Sequence, residues 1–314
     1  MEIANPIYDA VFKYLMEDIR AAKVLISHLS GFEIESLEFK PTEHRIDNVG
    51  GRNFTVCRMD FAARVKTKQG PKLILIEIQK AKFPTDIMRF RRYLGTQYSN
   101  PENCIEITEE RNGKEITKKI AEPIFTIYFL GHMIEYNDVP VIKVDRKCID
   151  AATNEELEER SDFVEGLTHN SVIVQIPAIK GNRRTKLEVL LSFFDQDLII
   201  DNANHTLFLN DEEIPEEFQF IYRRLMKANS QPKLKESMNI EDEVIEELGQ
   251  KERLIARLGE RAEKETEARI KAETEKQKEA EARKKAEEEK QKMIELLKAA
   301  GISEEDIQAK LKND

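Results

Sequence analysis

Cysteine is scarce and scattered. The 314-residue chain holds three, Cys57, Cys104 and Cys148, far apart and with no CxxC pair. That excludes a disulfide scaffold and a zinc site built on paired thiols, and it fits reduced thiols in a cytoplasmic protein. Twelve glycines and ten prolines are too few for a collagen repeat. No apolar run approaches the ~20 residues needed to cross a bilayer, so no membrane partner is expected. The first 18 residues lack the basic-then-apolar pattern of a secretion signal. A Walker loop, GxGxxG and GxSxG are all missing, which leaves no motif for nucleotide cradling or serine hydrolysis. The five histidines (His28, His44, His132, His169, His205) show no ligand spacing and read as structural or solvated.

Charge, by contrast, is abundant. Lys and Arg number 50 against 60 Asp and Glu, for a net charge of -10, which excludes a uniformly basic nucleic-acid coat. The length allows about two domains. The charge is unevenly spread. From Glu241 to Asp314, 39 of 74 residues are charged, with no proline before Leu297 and seven Glu-to-Lys/Arg pairs at i,i+4. Such pairs support a long exposed helix. Its apolar seam of Leu248, Ile255, Leu258 and Ala262 gives way to Arg269 and Lys276, so only its start offers a short coiled coil and a possible homodimer. Between Arg58 and Arg92 the sign reverses. Ten basic residues face three acids, a local +7 that can attract a polyanion or simply be solvated.

Periodicity gives a coarse order of elements. Asn5–Ser30 reads as a helix, with Asn5-Pro6 as its cap and Gly31 as its end. Ile34–Phe39 and Phe54–Val65 read as strands. Leu73–Ile78 is a nearly unbroken apolar run, as a strand buried on both faces would be. A helix follows from Pro84-Thr85-Asp86 to about Tyr98. A hairpin is expected around Asn112-Gly113, then a strand over Ile124–Leu130. Residues 131–238 read as a mixed α/β extension of the same domain, with short strands at Val141–Val144, Val172–Ile176 and Thr206–Leu209. Asp195 and Asp197 read as a helix end, or as paired acids that could bind a cation. The expected layout is a core over 1–130, the extension over 131–238, a long charged helix over 239–300 and a terminal helical turn over 301–314, capped by Ser303-Glu304-Glu305.

Two acids stand out. Asp60 lies in one apolar strand and Glu77 in the next, and an acid there is costly unless paired or bound to a cation. Two carboxylates in adjacent strands suit Mg²⁺, which takes few protein ligands and leaves room for water and phosphate. The alternative is a pair of buried salt bridges. Gln79 shares the face of Glu77 and is placed to orient a water or contact a phosphate. Lys80, Lys82, Arg89, Arg92 and Tyr93 would form a rim for phosphates. An acidic cup inside a basic rim is what phosphodiester hydrolysis requires.

The segments Asp9-Ala-Val-Phe12-Lys13, Arg58-Met-Asp60-Phe61, Ile76-Glu77-Ile78-Gln79-Lys80 and Arg89-Phe-Arg91-Arg92-Tyr93, taken in order, resemble the PD-(D/E)XK nuclease superfamily. More narrowly they resemble its Rpn-type branch, the PD-(D/E)XK nuclease family transposases. Pro123–Tyr128, Leu187–Phe194 and the tail through Gly301 are also similar, so the resemblance covers most of the chain. It implies a restriction-endonuclease-like α/β core of helix, three-strand meander, helix and strand. It further implies an Mg²⁺-dependent DNA endonuclease tied to transposition or recombination of mobile elements. Asp60 and Glu77 would hold the metal, Asp9 on the first helix would complete the site, and Gln79 and Lys80 would serve the chemistry. One departure matters. Gln79 stands where the superfamily has lysine, as glutamine does in the Rpn-type branch itself, and it carries no charge. Two other readings stay open: a degenerate nuclease fold that binds DNA without cutting it, and an interaction protein assembled through its C-terminal helix.

Overall fold

The computed structural model describes residues 1–301 apart from 41–42, 48–53, 59, 69, 83–85, 112, 160 and 182; the expected cap at Ser303-Glu304-Glu305 lies outside them. A short strand, β1 (Glu2–Ala4), leads into two helices, α1 (Asp9–Met16) and α2 (Ile19–Ser30). The apolar period runs through both, yet the helix is broken between them. Asp18 accepts the N–H of Arg20 and restarts the chain as the cap of α2. Asn5 caps neither. It is fully buried, and its side chain binds Gln196 and the N–H of Ile7. Gly31, at φ +75°, closes α2 in the left-handed conformation that favours glycine.

Six strands then follow: β2 (Ile34–Phe39), β3 (Glu43–Asp47), β4 (Phe54–Arg58), β5 (Phe61–Thr67), β6 (Gly70–Gln79) and, after α3 (Asp86–Ser99), β7 (Cys104–Arg111). Next come β8 (Lys114–Ala121), β9 (Ile124–Leu130), β10 (Val141–Val144), α4 (Asp162–Leu167), β11 (Asn170–Gln175), α5 (Lys186–Leu191), β12 (Thr206–Phe208), α6 (Gln219–Asn229) and α7 (Pro232–Ala299). The main sheet is mixed and six-stranded, in the order β10-β11-β9-β6-β5-β2. β2, β5 and β6 form an antiparallel meander, while β6, β9 and β11 run parallel. The expected single strand over Phe54–Val65 is two strands. β4 pairs with β3 in a separate hairpin, and the chain bends at Asp60 before β5 begins.

Alternation along the strands divides the core between the two faces. Ile74, Ile76 and Ile78 of β6 join Phe125, Ile127 and Phe129 of β9 and the apolar sides of α1, α2 and α6. Leu73, Leu75, Ala62 and Ile124 meet Phe90, Tyr93 and Leu94 of α3 on the other face. A strand covered on both sides explains the unbroken apolar run of β6.

The chain divides into two compact units, 1–246 and 247–314. The extension places β10 and β11 in the main sheet, so it shares the core of the first unit. From residue 247 the described part of α7 is exposed along nearly its whole length, with Leu254, Ile255 and Leu258 all more than half exposed. Ion pairs at i,i+4 (Glu247–Lys251 and Arg261–Glu265) decorate it.

Candidate active site

Glu77 follows Leu73 and Leu75 on the α3 face of β6, near the carboxyl end of the strand. It is 7% exposed, opposite Tyr128 in the β9 register. Its charge is met from α3, where Arg89 donates to Oε1 at 2.6 Å. Burial raises the Glu77 carboxyl, Arg89 pulls it back, and the balance leaves it at about 7.

Asp60 reaches the same end of the sheet by a different route. Phe61 faces Ile76, so β6 runs on past the end of β5. The Asp60 carboxylate takes over where the ladder stops and accepts the N–H of Ile78 at 2.6 Å. Burial and the negative charges of Glu77 and Asp9 push its carboxyl well above the usual range.

Asp9 arrives on the first turn of α1, and Lys13 lies one turn later on the same side. Lys13 Nζ donates to Asp9 Oδ2 at 2.8 Å and stands 3.6 Å from Asp60 Oδ1. Asp9 Oδ1 lies 2.8 Å from the same ammonium, but it is buried and forms no hydrogen bond. Burial works against the charge on Lys13, yet Asp9 and Asp60 outweigh it and hold the ammonium protonated more firmly than usual.

A second polar cluster adjoins this one through α7. Glu241 Oε2 accepts the N–H of Asp9 at 3.0 Å. Asp242 accepts the Tyr8 hydroxyl at 3.0 Å, lies 2.9 Å from His205 Nε2 and is ion-paired with Lys80. The Lys80 ammonium also stands 3.5 Å from the centre of the Tyr8 ring. Burial, with the charge of Asp9, raises Glu241 to about 7. Asp242 is half-buried too, but Lys80, His205 and Tyr8 outweigh that and keep it below the ordinary carboxylate range.

The structure thus brings Asp9, Asp60 and Glu77 together and adds Lys13, Glu241, Asp242 and His205, which the sequence reading left without a role. The i,i+4 spacing of Asp9 and Lys13 was a usable signal. The other three lie more than 100 residues further along the chain and left none. The expected phosphate rim is thinner than the +7 window suggested. Tyr93 is 2% exposed and packs beneath α3, so it does not reach solvent. Lys80 is committed to Asp242 and Arg89 to Glu77. Arg64 forks onto buried Glu122, Lys66 pairs with Glu35 and Lys68 with Glu33. Lys72 is buried near the opposite end of β6. Lys82, Arg91 and Arg92 are exposed.

Among the described residues, no three His, Cys, Asp or Glu side chains are grouped so as to hold a metal ion as they stand. The donor set itself suits a hard dication: the carboxylate oxygens of Asp9, Asp60 and Glu77, which now face Lys13 and Arg89. In this arrangement Lys13 and Arg89 supply the positive charge. Among the described residues no helix is long and apolar enough to cross a membrane. Comparison of the chain with protein-family models, with curated proteins and with solved structures finds no match.

Proposed function

We propose that the first unit is a restriction-endonuclease-like domain of the PD-(D/E)XK type, hydrolysing phosphodiester bonds in DNA with Mg²⁺. One observation carries this reading: Asp9, Asp60 and Glu77 gather at the carboxyl end of β6, with Lys13 and Arg89 set against them. Open α/β sheets bind ligands at the carboxyl ends of their parallel strands. The order of helices, meander, α3 and then β9 parallel to β6 is also the order that the resemblance implies. A role in transposition or recombination rests on that resemblance alone.

Asp60 and Glu77, with Asp9, would hold Mg²⁺, which supplies an activated water and stabilises charge on phosphorus. The surrounding residues prepare the site. The Ile78 N–H fixes the Asp60 carboxylate, Glu241 fixes the first turn of α1, and Gln79 orients water at the strand end. Lys82, Arg91 and Arg92 are exposed and would contact the phosphate backbone. The protein works as a cytoplasmic enzyme in this reading, and the start of the exposed part of α7 offers a homodimer seam.

The experiment is incubation of the purified full chain with plasmid and Mg²⁺, alongside D60A. Nicking that needs Asp60 and stops with EDTA supports the proposal. Equal activity in both proteins, or activity indifferent to EDTA, defeats it.

A second reading draws on a specific observation. Glu77 already has its guanidinium, Asp60 its ammonium, and Gln79 brings no charge. That favours a degenerate nuclease fold that binds DNA without cutting. Salt-sensitive DNA retention with no cleavage under any divalent metal would select it.

A further inference from the structure

Hydrolysis of a phosphodiester builds negative charge on the non-bridging oxygens, and the site must answer it with cations. Gln79 at the end of β6 is neutral. Arg89 is engaged by Glu77 and Lys80 by Asp242. Lys13 differs from both. It comes from α1, across the sheet from α3, and its ammonium faces two carboxylates, 2.8 Å from Asp9 and 3.6 Å from Asp60. Its side chain is 36% exposed, so it opens to the solvent from which DNA would arrive. Its stem has four flexible carbons, so Nζ can move several ångströms with the helix fixed.

We propose that Lys13 is a catalytic residue of the hydrolysis argued above, on which this inference rests. In the resting protein it pairs with Asp9 and stands 3.6 Å from Asp60. It yields those carboxylates to the dication and donates instead to a non-bridging oxygen of the scissile phosphate. In the reaction, a water oxygen forms the new bond to phosphorus and the bond from phosphorus to the leaving alkoxide breaks. The attacking water loses its proton to solvent, and the alkoxide takes one from solvent. Lys13 keeps its own proton throughout, as a charge and a donor. A merely structural counter-ion would have no effect on DNA once the carboxylates are otherwise neutralised.

The test compares the full chain with K13Q, K13R and D60N. Mg²⁺ binding is measured by calorimetry without DNA. Affinity for a short fluorescent duplex is measured with and without Ca²⁺, and plasmid cleavage at saturating Mg²⁺. K13Q should bind Mg²⁺ at least as tightly as the parent, because a competing cation is gone. It should lose most of the Ca²⁺-dependent gain in duplex affinity and cleave about 100-fold more slowly, with partial rescue in K13R. D60N should lose the Mg²⁺ binding itself. K13Q cleaving at the parent rate overturns the role of Lys13 and leaves the nuclease reading standing. If the parent shows the Ca²⁺-dependent gain but never cleaves, loss of that gain in K13Q supports Lys13 as a phosphate ligand and removes hydrolysis; a full gain in K13Q overturns it. A parent with neither cleavage nor gain overturns both. Should K13Q fail to fold, K13M repeats the comparison.

Discussion

The carboxylate of Asp60 accepts the backbone N–H of Ile78 at 2.6 Å, closing the one place where β6 outruns its neighbour β5. The same side chain therefore finishes a sheet and faces a cluster of like charges. D60N keeps a side-chain oxygen for Ile78 and removes a charge that burial disfavours. D60A leaves a backbone donor without its partner, at about 1–3 kcal/mol. In metal-free buffer near neutral pH, D60N should melt at or above the parent temperature and D60A clearly below it. Both should lack cleavage. Calorimetric melting of the three proteins checks the order.

Buried acids give stability a definite dependence on pH. Glu77 and Glu241 rise from an ordinary 4.5 to about 7, and Asp60 moves the same way. Between those values the folded state holds protons that the unfolded state has released, so stability falls as pH rises. The contribution of the two glutamates is fully present below pH 4.5 and is lost as pH climbs through about 7. Asp242 and Asp18 act oppositely, because their lowered carboxyls lose stability as pH falls through the acid range. The metal-free protein should be most stable on the acid side of neutral. E241Q, which keeps an acceptor for the Asp9 N–H, should narrow the difference in Tm between about pH 5 and about pH 8. An unchanged difference would show that Glu241 does not titrate in that window.

Much of the sheet was legible because burial writes itself into sequence. Ile124–Leu130 and Val141–Val144 stand where their apolar runs place them, and Leu73–Ile78 lies within β6. The breaks were less so. The helical period passes straight through Glu17-Asp18, and only the cap at Asp18 marks the division. The alternation before Asp60 likewise continues through a bend whose cause, the Ile78 N–H, lies 18 residues on. Charge counts overstated the phosphate rim because a sum over sequence cannot see partners. Arg64 looks like surface charge, yet it forks onto Glu122, whose side chain is fully buried. Glu241 and Asp242 read as the start of a charged helix, and only tertiary structure places them against α1 and β6.

Gly131 fixes the exit of the strand that carries Glu77. Its N–H binds Gln79 O at 2.7 Å, and a Cβ there would lie 2.2 Å from the carbonyl oxygen of Lys80. That neighbour is backbone, so it cannot yield by rotating a side chain. G131A must push the end of β6 aside, at the 1–3 kcal/mol typical of overpacking. It should lower Tm and weaken whatever the carboxylates bind. G166A, whose Cβ would come 3.1 Å from the side chain of Ala121, should cost less. Melting both variants side by side tests the ranking.

Asp242 decides whether Lys80 can meet a phosphate. It takes hydrogen bonds from Lys80, Tyr8 and His205 at once, and this holds Lys80 at the rim of the cluster while tying the start of α7 to the sheet. D242N keeps an oxygen for one donor and cancels the charge that holds Lys80. If Lys80 is a latent phosphate ligand, D242N should bind duplex DNA more tightly at low salt. The slope of log affinity against log salt should steepen by about one unit, the value for one further cation on duplex DNA. K80Q should erase the gain when combined with D242N. The variant should also melt lower, because three donors lose a shared anion. A gain in affinity with an unchanged slope would assign Asp242 to anchoring α7 and exclude Lys80 from DNA contact.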